Sequence, residues 1–78
     1  MPDTMVIRAE ALFASSLQHS ACPADDLIRR AVAETLVRLG TAGCAASVAG
    51  EFGDHPEVAV SRMRWALATV RGVYALAA

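Results

Sequence analysis

Apolar residues recur every three or four positions along almost the whole of this 78-residue chain. That spacing puts them on one side of an α-helix and denies a sheet its two faces. An all-α fold follows. Glycine and proline then divide the pattern. Met5, Ala9, Leu12, Phe13 and Leu17 share a face, so a first helix is predicted over residues 4–18, capped by Asp3 or Thr4. Pro23 suits a first helical position, and Asp25 and Asp26 suit the positive end of a helix dipole. The second helix then carries Leu27, Ile28, Ala31, Val32, Thr35, Leu36 and Leu39 inward, keeps Arg29, Arg30, Glu34 and Arg38 mostly outside, and ends at Gly40. A short third helix over residues 42–52, with Thr41 as its cap, turns Cys44, Ala45, Val48, Ala49 and Phe52 inward and stops at Gly53. Asp54-His55-Pro56-Glu57 has the form of a capping box that opens a fourth helix over residues 55–76. The expected architecture is therefore one domain over residues 1–78, a compact bundle of four short helices with the last one longest.

The fourth helix carries two apolar stripes. Ala59, Met63, Ala66, Leu67, Val70 and Tyr74 form one, and Val58, Trp65, Ala68, Gly72 and Leu76 form another on the opposite side. Arg64 and Arg71 lie together between the stripes, with Arg62 on the other flank. Such a helix must bury both faces, either at the centre of its own fold or in a partner. Composition sharpens the question: 55% of residues are hydrophobic, but 17 are alanines that bury little area each. A chain this small hides only a modest share of its surface by itself. A homodimer or another protein partner is expected, with Val58, Trp65, Gly72 and Leu76 as its interface.

Charge is divided unevenly. Residues 1–57 hold all eight acids and four of the seven arginines, a net of −4, whereas residues 58–78 hold Arg62, Arg64 and Arg71 and no acid, a net of +3. An anionic partner would meet the last helix, although an overall charge of −1 disfavours a strong nucleic-acid binder. All seven basic residues are arginine. The opening Met5-Val6-Ile7 run is short and flanked by Asp3 and Arg8, which predicts no secretory leader, and no apolar stretch approaches the roughly 20 residues of a membrane span. Cytoplasmic placement is expected, with Cys22 and Cys44 as reduced thiols.

No catalytic, cofactor or metal site is expected. His19, Cys22, Cys44 and His55 lack the paired spacing of structural zinc ligands. The glycines have no lysine partner for phosphate.

Three resemblances extend this reading. The segment Val48-Ala49-Gly50-Glu51-Phe52-Gly53, followed by Val58-Ala59-Val60-Ser61-Arg62-Met63-Arg64-Trp65-Ala66, resembles the last helical pair of sigma-factor-type helix-turn-helix regions, a likeness that spans residues 43–70. It implies that Ser61, Arg62 and Arg64 face DNA, although the turn Asp54-His55-Pro56-Glu57 is longer and more acidic than usual for such regions. The whole chain is similar to short uncharacterised all-helical proteins of high-GC bacteria, through Leu12-Phe13, Leu17-Gln18, Gly43-Cys44-Ala45-Ala46, Glu51-Phe52-Gly53-Asp54-His55-Pro56-Glu57 and Arg62-Met63-Arg64-Trp65-Ala66. That likeness implies no mechanism. Tyr74-Ala75-Leu76-Ala77-Ala78 resembles the end of the tag that bacteria append to stalled polypeptides, which implies a degradation tail at Leu76, Ala77 and Ala78. The leading expectation is a small cytosolic regulatory or adaptor protein acting through helix-mediated association; the alternative is a helix-turn-helix DNA binder.

Overall fold

The carboxylate Oδ1 of Asp3 accepts from the Met5 backbone N–H at 2.8 Å, so Asp3 caps the helix that follows. The computed structural model describes residues 3–75. Within them lie α1 (Thr4–Ala14), a 3₁₀ turn (His19–Ala21), α2 (Asp25–Asp54) and α3 (Pro56–Val73). The described residues are helical with no strand, and none of these helices is long and apolar enough to cross a membrane.

Three helices stand where four were expected, although each arm of α2, 25–39 and 41–54, is shorter than the last helix, with its 18 residues. The reason lies at Gly40. Its backbone takes φ 71° and ψ 172°, a region that essentially only glycine enters, and this breaks the helical path inside α2. One residue absorbs the break, so the arms 25–39 and 41–54 follow each other with no loop between them. Thr41 is accordingly a helical residue and not a cap.

Other boundaries move for local reasons. α1 stops at Ala14, four residues short of the expected end, because Ser15 turns extended (φ −74°, ψ 170°) while its N–H and its hydroxyl both donate to the Leu12 carbonyl, at 3.1 and 2.6 Å. A serine that bonds the backbone locally competes with helix continuation. α2 opens at Asp25 with Ala24 as its cap, two residues after Pro23, and keeps Asp25 and Asp26 in its first turn. The expected capping box is absent: Asp54 closes α2, and His55, with no side-chain capping bond, serves both as the C-cap of α2 and as the N-cap of α3. His55 N donates to Glu51 O at 2.7 Å and His55 O accepts from Ala59 N at 2.9 Å, so the ladders meet at a single residue. Pro56 holds the first position of α3, where its missing N–H is not needed.

The core gathers Ala9, Ala11, Leu12 and Phe13 of α1, Ile28, Val32 and Cys44 of α2, and Ala59, Ala66, Val70 and Val73 of α3. Each helix packs against both others. The first stripe of α3 lines this core as expected, with Ala59, Ala66 and Val70 buried and Met63, Leu67 and Tyr74 half-buried. The second arm of α2 is less covered than its pattern suggested, since Ala45, Ala49 and Phe52 remain exposed. Replacing Gly40 by alanine forces a Cβ into the glycine-only region, although no atom lies within 4 Å of where that Cβ would sit. Gly40→Ala is expected to lower stability by about 1–3 kcal/mol in urea titrations, from backbone strain alone.

Candidate functional site

The first and last helices are joined by one side chain. Arg62, half-buried on α3, reaches the C-terminal end of α1, where the last carbonyls have no partner within their own helix and carry the negative end of its dipole. Its Nε donates to the Phe13 carbonyl at 2.9 Å, and its Nη2 donates to the Ser15 carbonyl at 2.9 Å, with a longer contact of 3.4 Å to the Leu12 carbonyl. The guanidinium also lies 5.0 Å from the Trp65 ring centre and 5.8 Å from that of Phe13. Burial pulls its pKa below the ordinary arginine value, and the nearby Glu51 charge opposes that shift.

Rings fill the space around this clamp. Phe13 stacks on Phe52 of α2, with centroids 6.2 Å apart and planes at 17°, and His19 of the 3₁₀ turn tilts against Trp65 at 5.8 Å. Trp65 packs on the core and is half-buried. Two more arginines act in the same manner. Arg29 Nη2 of α2 donates to the Val73 carbonyl at the end of α3, at 3.0 Å, and Arg8 of α1 lies 4.0 Å over the Tyr74 ring. A helical wheel assigns such residues to solvent, and only the assembled fold shows that their length lets them tie one helix to another.

The residues singled out from sequence fall into two sets. Arg62 points to the clamp, whereas Ser61, Arg64, Val58 and Gly72 lie at the surface. Val58 is 64% exposed, and nothing lies within 4 Å of a Cβ built on Gly72. Trp65 sits between, half-buried against the core, His19 and Arg62. Leu76, Ala77 and Ala78 lie outside the described residues. A groove of about 360 Å³ runs beside Val58 and is lined by Gln18, His19, Glu57, Val58, Ser61 and Arg62. Among the described residues no group of three or more His, Cys, Asp or Glu side chains is placed to hold a metal ion.

Compared with known proteins, the chain matches no family model, no curated protein and no solved structure at a significant level.

Two outcomes follow from this geometry. Arg62→Ala leaves the end of α1 without its charged donor and is expected to cost about 2 kcal/mol in urea unfolding followed by far-UV circular dichroism. Arg62→Lys recovers less than half of that loss, because an ammonium cannot present the fork that reaches three carbonyls. The thiols differ as well: Cys22 is exposed, whereas Cys44 is buried and its pKa is raised first by that burial and then by the Glu10 charge, against a smaller opposing effect of Arg38. A thiol reagent should therefore modify one cysteine promptly and the second only as the protein opens.

Proposed function

We propose that this protein acts in the cytoplasm as a small regulatory or adaptor protein without catalytic activity of its own, and that it works by helix-mediated association, first of all with a second copy of itself. The observation that carries this reading is the outward face of α3. Val58, Ser61, Ala68 and Gly72 are exposed along it, and Trp65 is half-buried beside them. An exposed β-branched residue, an indole edge and a glycine with open space above it form a surface into which a partner helix fits. The groove beside Val58 extends that surface toward the 3₁₀ turn.

Light scattering at micromolar concentration is expected to give the mass of a dimer; a monomeric mass overturns the reading. Val58→Glu places a charge on the proposed contact and is expected to weaken the dimer at least tenfold while leaving the helical signal intact.

A second reading rests on the order of the elements, since the second arm of α2, a single-residue turn and α3 follow the course of a helix-turn-helix. Ser61 and Arg64 are exposed as DNA contact would require. Arg62, however, donates to three backbone carbonyls of its own chain, and Glu51, Asp54 and Glu57 place three acids around the turn. Fluorescence anisotropy with duplex DNA across a salt series separates the readings: association through α3 predicts no binding, and steep salt-dependent binding favours the DNA reading.

A further inference from the structure

From the exposed face of α3, and resting on the association reading above, we infer that two copies of this chain pair their α3 helices antiparallel about a two-fold axis between Arg64 and Trp65, with Glu57 of each chain facing Arg71 of the other. Three rows on that face carry the argument. Glu57, Arg64 and Arg71 are seven residues apart and form one edge, and all three are exposed. Val58, Trp65 and Gly72 repeat the spacing along the other edge. Ser61 and Ala68, both exposed and small, run between the two edges.

The charged row is centred on Arg64, the second on Trp65, and Ser61 and Ala68 on the step between them, so the three centres fall within about one residue's rise. A two-fold axis through that point lays every row against its own reverse. Val58 then meets Gly72 of the other chain, where there is open space for a branched side chain. The Trp65 rings meet edge to edge, and Ser61 meets Ala68, which lets the two backbones approach closely.

Charge selects the direction. Along the first edge the signs read negative, positive, positive. Parallel pairing about a two-fold axis sets this charged edge against the Val58, Trp65 and Gly72 edge of the other chain, so no ion pair forms and Arg64 and Arg71 lie over apolar residues. Antiparallel pairing lays the edge against its own reverse, which makes both outer contacts attractive and leaves only Arg64 against Arg64, where long side chains splay apart into solvent. Exposed ion pairs add little affinity, but they discriminate between orientations. Glu57 and Arg71 are about 21 Å apart along the helix, so the two pairs grip opposite ends of the contact.

A charge exchange tests this arrangement. Glu57→Arg and Arg71→Glu are made in separate chains, and the helical signal of each is checked. Each variant alone is expected to dissociate at least tenfold more readily than the parent, because both outer contacts become repulsive. Mixed in equal amounts, the two variants are expected to form a heterodimer, since every outer contact is attractive again. Variants that stay dimeric singly, or a mixture that stays monomeric, overturn the antiparallel geometry while the association reading stands on the parent's dimeric mass. A monomeric parent overturns both. If a reversed chain loses its helical signal, cross-linking replaces it: in a Cys22→Ser background, a Ser61→Cys chain mixed with an Ala68→Cys chain is expected to form a disulfide heterodimer under mild oxidation. Cross-linking of Ser61→Cys with itself instead points to parallel pairing and overturns the inference.

Discussion

The three-helix assembly depends on a guanidinium placed where a helix ends. α1 is only 11 residues long, a length at which an isolated helix is marginal in water. Its carboxyl end turns into Ser15 and the 3₁₀ turn and leaves carbonyls that the helix itself cannot satisfy. Arg62 supplies donors to them from α3, and in doing so fixes how the first helix sits against the last. Phe13, Phe52, Trp65 and His19 then pack around a position already defined by directed bonds. The core itself is built largely from alanine, valine and leucine, which fill space without dictating one orientation. Directed polar contacts at helix ends are what make the arrangement unique.

The same logic separates the two sides of α3. Inward, Ala59, Ala66 and Val70 are buried against the other helices. Outward, Val58 is largely exposed and the small residues Ser61, Ala68 and Gly72 are exposed as well. The functional reading lives on that contrast.

Much of the fold was legible because it depends on local rules. The 3.6-residue spacing marked the helices, and the position of Gly40 announced a break in the backbone. What could not be read was the width of that break, because a glycine signals permission to leave the helix without saying how many residues the departure takes. The capping box failed for a related reason: Asp54 has the right chemistry, but α2 keeps it as a helical residue and passes the capping role to His55. The clamp escaped the sequence altogether. Arg62 and its acceptors lie 47 to 50 positions apart, and no periodicity connects a side chain on one helix to the carbonyls of another. Arg62, expected on the flank of the two stripes and as a candidate DNA contact, instead bonds to carbonyls of its own chain.

Closing helix ends with arginines from elsewhere in the chain has a consequence for the order in which the molecule comes together. Arg62 completes α1 from about fifty residues downstream, and Arg29 completes α3 from 44 residues upstream. Neither terminus can be finished by the segment that contains it. A nascent chain that has exposed only its first half holds an α1 still lacking its last partner, and the final helix on emerging finds a waiting donor. Assembly thus ties the ends of α1 and α3 to distant segments, whereas α2, closed by its neighbour His55, needs no such donor.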